Sequence, residues 1–258
     1  MAKGVVAVDL QKANIWKRIA AWILDAMLFA LVAVGFGVVL SGTLHYDSHN
    51  ENLHAEYARY EAQYGVVFNI SAEEYEAKTQ QEKAQYNEAY QALIADEQVH
   101  YSYNMVINLS MLIVSLSILL GVLVMEFVIP LLLKNGQTVG KKAFGLGLVR
   151  PNGVRINTMQ MFVRAVLGKY TVETMIPVYV LMMFLWGTMD MTGTIVLLAL
   201  GAVQLLCLCM TRDNAAIHDK LAGTVVVDIA SQKIFSSTDA LISYTAGVHR
   251  ERADTQKS

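Results

Sequence analysis

Four apolar stretches constrain this chain more than any other feature, because each is long enough, or nearly long enough, to cross a bilayer as a helix. A hydrocarbon core about 30 Å thick needs roughly 20 apolar residues at helical rise. The first stretch runs from Ile19 to Leu40 and contains Asp25. The second, about Met105–Leu133, contains Glu126 and Pro130. The third, Val172–Met189, is shorter and carries Glu173 and Pro177; the fourth, Gly193–Met210, carries Gln204. Only Asp190, Met191 and Thr192 separate the last two, which therefore read as a tight antiparallel hairpin. The fold class expected is an all-α membrane protein with four transmembrane helices.

Composition agrees. The chain is 55% hydrophobic and 16% charged, where soluble domains carry about 25% charged residues. The net charge of −2 conceals strong segregation. The segment between the second and third stretches holds Lys134, Lys141, Lys142, Arg150, Arg155, Arg164 and Lys169 with no acid, whereas 45–104 holds eleven acids against Arg59, Lys78 and Lys83. Basic loops stay in the cytoplasm, so the expected orientation has both termini inside and one acidic loop outside. The first stretch is too long for the apolar core of a secretion signal and no small-residue cleavage site follows, so it is expected to remain as a helix.

The organisation expected is a cytoplasmic segment at 1–18, a first transmembrane helix at 19–44, an acidic helical loop at 45–104, a second transmembrane helix at 105–133, a basic inner loop at 134–171, a transmembrane hairpin at 172–210 and a cytoplasmic segment at 211–258. In the outer loop, Ser71 and Glu74 match a capping box. Helices are predicted over about 51–64 and 80–98, with Leu53, Tyr57, Tyr60 and Tyr64 facing Tyr86, Tyr90, Leu93 and Ile94 across a tyrosine seam. On the inner side, Pro151-Asn152-Gly153 predicts a hairpin between 145–150 and 154–157, and 224–228 reads as a further strand. Thr158 starts a short amphipathic helix, with Met159, Phe162, Val163, Val166 and Tyr170 on its apolar side and Arg164 and Lys169 towards water or headgroups.

Arg18 followed by Asp25 resembles the start of the RDD family of bacterial integral membrane proteins, named for one arginine and two aspartates. The resemblance continues through Gly136-Gln-Thr-Val-Gly140-Lys-Lys-Ala-Phe-Gly145, through Arg164, and through His218-Asp219-Lys-Leu-Ala-Gly-Thr224. It covers roughly 13–43 and 105–228, and the outer loop stands outside it as an elaboration. It implies that Arg18 and Asp25 are the family's arginine and first aspartate, that Asp219 is the second, and that the chain sits in a bacterial cytoplasmic membrane. It implies little about activity, some members being linked to cation tolerance or cation/proton exchange.

Ionisable groups inside a membrane are candidates for function because burying them costs about 2.5–3.5 kcal/mol each at mid-helix on insertion scales. Asp25 and Glu126 lie at similar distances from the inner ends of their helices, so adjacent antiparallel helices would hold two carboxylates at one depth. Such a pair cannot ionise fully without a shared proton or cation, which is the chemistry of exchange of protons for a monovalent cation. The other reading is a buried ion pair of Asp25 with Arg18 or Arg164 that fixes helix register. Glu173, beside Lys169, reads as a helix N-terminal acid, and His218-Asp219 as a polar anchor. Lys141 and Lys142 are expected against lipid headgroups. Gly136–Lys142 does not have the spacing of a phosphate-binding loop, Cys207 and Cys209 are apolar fillers, and no enzymatic motif occurs. No cofactor, metal or nucleic acid is expected. The functions in view are cation/proton transport, with glycines allowing a homo-oligomer, and a membrane-embedded scaffold or accessory subunit that binds a partner through the outer loop or the inner sheet.

Overall fold

The computed structural model describes residues 10, 13–133, 135–185, 191–210 and 215–255. The Asp190 turn, Gly187, Lys134 and the side chain of Cys209 lie outside the described parts. The helices are α1 (Ile15–Thr43), α2 (Tyr46–Tyr64), α3 (Ala72–Glu76), α4 (Gln80–Ala95) and α5 (Glu97–Val122), which continues through a π-helical segment, Leu123–Val128, into α6 (Ile129–Leu133). Then come α7 (Val139–Ala143), β1 (Leu146–Val149) and α8 (Thr158–Phe162), a second π-helical segment Val163–Met175, α9 (Ile176–Leu185), α10 (Met191–Met210), α11 (Ile217–Ala222), β2 (Val225–Asp228) and α12 (Thr238–Thr255). Among the described residues, two helices are long and apolar enough to cross a membrane, Ile15–Thr43 and Glu97–Leu133. The chain divides into two compact units, residues 34–117 and the remainder.

In the 34–117 unit, α2 stops at Gly65, whose φ of 63° suits the left-handed C-cap. Ser71 accepts from the Glu74 amide while Glu74 reaches back to the Ser71 amide at 2.7 Å, and Thr79 and Glu82 repeat the same device at the start of α4. The aromatic seam differs from the expected one in its centre. Phe68, in the connection after α2, meets Tyr57, Tyr86 and Tyr90 with ring centroids 6.0, 5.8 and 6.4 Å away, so a loop residue outside the helical period supplies the wedge. Tyr60 instead turns its hydroxyl to Asp96 at 2.7 Å, and Ile94 is half exposed. The helix predicted to reach residue 98 ends at Ala95 because Asp96 caps the next one, accepting from the Gln98 amide at 2.8 Å. Residues 97–104, assigned to the loop by hydropathy, therefore belong to the second long helix.

In the other unit the expected three-run sheet becomes two strands. β1 pairs antiparallel with β2, Leu148 opposite Val226 and Val149 opposite Val225. The Pro151–Gly153 turn forms, with Gly153 at φ 78° and the Arg150 amide donating to the Val154 carbonyl at 2.8 Å, but pairing beyond it stops at one bridge, Val149 to Arg155. Val154 and Arg155 turn to Phe235 instead. The physical reason is burial: Val225, Val226 and Val227 are all inside, and covering β1 with them removes far more apolar surface from water than the polar 155–157 run could. One sheet face joins Leu146, Leu148 and Val226 to Ala21 of α1, Ile156 and Met161, with Phe127 against them; Val149, Val225 and Val227 pack on Leu10 and Ile234. This core ties α1 to the sheet, to α8 and to the first π-helical segment.

Candidate functional site: a buried charge cluster

Asp25 marks one end of the site. Its carboxylate accepts from the Thr138 hydroxyl at 2.5 Å and from the Gly140 amide at 2.7 Å, so it caps α7 from the side of α1. A Cβ at Gly140 would lie 2.9 Å from the Asp25 carboxylate and would run into the Ala21 carbonyl oxygen. The glycine-containing motif is thus a docking turn for α1. Gly136, with φ 61°, provides the left-handed residue that starts it.

Arg164 is the hub. Its Nε donates to Asp219 Oδ1 at 2.9 Å, its Nη1 to Glu126 Oε2 at 3.1 Å and its Nη2 to His218 Nε2 at 2.8 Å. Since guanidinium can only donate, Nε2 of His218 must carry the lone pair, and Nδ1 keeps the proton that bonds Glu173 at 2.7 Å. The 3.5 Å approach of the same Nε2 to Asp219 is then proximity and not a bond. Glu126 also takes the Lys169 ammonium, with Lys141 at 4.0 Å, and Asp219 accepts from the Thr224 hydroxyl at 3.1 Å. Burial disfavours charge on His218 and lowers its pKa. Burial alone would raise Asp219, but the Arg164 guanidinium bonded to it holds its carboxyl well below the usual range. Lys141 is lowered to about 8, chiefly by burial, with Glu126 acting against the shift.

Two expectations are corrected here. Arg164 does not face water: it is 2% exposed, while Met159 on the supposed apolar side is 67% exposed. The cause is the π-helical segment. At the α-helical rotation of about 100° per residue, positions nine apart lie roughly half a turn out of phase, which would put Glu173 opposite Arg164. The wider turn, closed by bonds five residues back, brings Arg164, Lys169 and Glu173 to one face. Gly168 lies on it too, so close to α11 that an added Cβ would meet His218 Cβ at 2.5 Å. Lys141 is likewise buried and directed at Thr138 and Glu126, not at headgroups; Lys142 is exposed.

Asp25 and Glu126 are both buried in this unit, yet neither bonds the other: Asp25 holds α7, and Glu126 holds three cations. Arg18 places its guanidinium 3.9 Å from Asp219. Thr138, Lys169, Glu173 and His218 complete the site. The sequence carried a signal for one of them: Glu173 stands nine residues after Arg164, a spacing that shares a face only at a π period. Among the described residues, four cations (Arg18, Lys141, Arg164 and Lys169) and three carboxylates (Asp25, Glu173 and Asp219) line a cavity of about 360 Å³, and Glu126, outside the lining, pairs with three of those cations. Among the described residues no group of three or more His, Cys, Asp or Glu side chains is arranged to hold a metal ion.

Long apolar helices joined to a core of buried charges are the features of a helical membrane protein. The profile of the RDD family matches residues 12–223, and the chain belongs to that family. No curated protein and no solved structure matches it.

Proposed function

We propose that this RDD protein is a four-span protein of the bacterial cytoplasmic membrane, both termini inside, acting as a non-enzymatic scaffold or accessory subunit. The observation that carries this reading is the engagement of Glu126 by Arg164, Lys169 and Lys141. A cation brought to that carboxylate would meet three positive charges in a site with little water to screen them. A charge cluster of this kind fixes helix register, which suits a protein that presents a surface. The surface is the outer unit, where Tyr90, Ile94, Tyr101 and Tyr103 are 45, 49, 60 and 43% exposed, as expected of a partner-binding face rich in tyrosine.

The second reading, exchange of protons for Na⁺ or K⁺ through Asp25 and Glu126 in an oligomer, is favoured by one observation: Asp25 lines the cavity. Reconstitution in liposomes separates the two. Scaffold function predicts no proton flux under an imposed Na⁺ or K⁺ gradient, and a Glu126→Gln protein that is unstable because Lys169 and Arg164 lose their shared partner. Flux that disappears in stable Asp25→Asn and Glu126→Gln proteins would overturn it. For the topology, a cysteine at Glu73 should react with an impermeant thiol reagent added outside, and one at Asn152 should not; reversed labelling refutes the orientation.

A further inference from the structure

We propose that the cavity between α1 and the charge cluster binds the headgroup of a zwitterionic phospholipid, one that joins a phosphodiester to an ammonium. This inference stands whether or not the chain carries flux. The cavity, about 360 Å³, falls within the range of small-molecule sites, roughly 300–1,000 Å³. It takes a headgroup but not two acyl chains, so the chains must leave through the mouth. The mouth is suited to them: Ile15, Ile19 and Trp22 of α1 line the cavity and are 44, 41 and 65% exposed. They open it along a helix that is itself apolar and long enough to cross a membrane.

Charge selects the headgroup. Counting Glu126, which pairs with three of the lining cations, the described cations and carboxylates balance four to four, so a ligand of one sign would leave an uncompensated charge in a buried site, a costly arrangement. A ligand bearing both signs does not. The two ends have separate partners. Among the described residues Asp25 accepts from a hydroxyl and an amide and forms no ion pair with a basic side chain, so an ammonium can approach a carboxylate with no cation bonded to it. Arg18, two helical turns towards the N-terminus of α1, and Lys141 line the same cavity and suit the phosphodiester. The ligand would then lie along α1 with its ammonium at Asp25.

The test uses the full chain in detergent, titrated with dioctanoyl phosphatidylethanolamine, dioctanoyl phosphatidylglycerol and glycerophosphoethanolamine, with saturable rise in melting temperature as the readout. Phosphatidylethanolamine should bind at least about tenfold more tightly than phosphatidylglycerol, and glycerophosphoethanolamine, lacking chains, should be far weaker. Ile19→Trp narrows the mouth at an exposed position, and should abolish the rise while leaving the unliganded melting temperature unchanged. Asp25→Asn should erase the preference between the two lipids; if that protein does not fold, Ile19→Trp still decides. Equal affinity for both lipids, undiminished binding by Ile19→Trp, or no saturable effect overturns the proposal. Glycerophosphoethanolamine binding as tightly as the lipid would overturn the lipid as the source of the zwitterion.

Discussion

Replacing Arg164 with glutamine removes a side chain that bonds Glu126, Asp219 and His218 at once. Three bonds disappear, at 3.1, 2.9 and 2.8 Å, around a residue 3% exposed at its side chain. Deleting one member of a buried ion pair typically costs about 3–5 kcal/mol, because the partner is left charged and desolvated. Here two carboxylates are stranded, but each keeps something: Glu126 retains Lys169 and Lys141, and Asp219 retains the Thr224 hydroxyl and Arg18 at 3.9 Å. The loss should therefore stay within that range and not double it. Taking roughly 2–4 °C per kcal/mol for a chain of this size, the melting temperature in detergent should fall on the order of 10 °C. Arg164→Lys should recover little, since an ammonium cannot reproduce the fork that reaches Asp219 and Glu126 together. Pairing Arg164→Gln with Asp219→Asn should recover part of the loss, a coupling that a double-mutant cycle measures. A wild-type melting curve for Arg164→Gln would refute the assignment of Arg164 as the hub.

Gly168→Ala should destabilise by about 1–3 kcal/mol through overpacking against His218, while Gly201→Ala, where an added Cβ meets nothing within 4 Å, should be neutral. Equal melting of the two proteins would mean that α11 does not press on the π-helical segment. For pH, the unfolded chain takes a proton on His218 at about 6.5 that the buried, lowered histidine refuses. Stability should decline as pH falls below about 6.5, and His218→Gln should flatten that limb. A second decline, through protonation of Asp219 from below the ordinary value of about 3.9, should vanish in Asp219→Asn. A melting temperature independent of pH between 7 and about 5 would contradict the neutral histidine.

The sequence by itself determined the long apolar helices, the segregation of charge along the chain, the capping box at Ser71 and Glu74, and the turn at Gly153. Each depends on neighbours within a few residues, through apolar run length, local hydrogen bonding or backbone freedom. It also singled out Asp25 and Glu126, because charged groups within apolar runs stand out without any structure, while Arg18, Arg164 and Asp219 were marked by the resemblance to the RDD family. Who partners whom was decided only by the tertiary structure. Asp25 meets Thr138 and Gly140 across more than a hundred residues, a contact set by the docking of α7 on α1. β1 chooses β2 over the adjacent run because Val225–Val227 bury more apolar surface. Arg164 and Glu173 share a face only because the helix widens to a π turn. That widening is stabilised by the charges it brings together, so a reading at the α period turned Arg164 outward, and the cluster stayed hidden until the chain was folded.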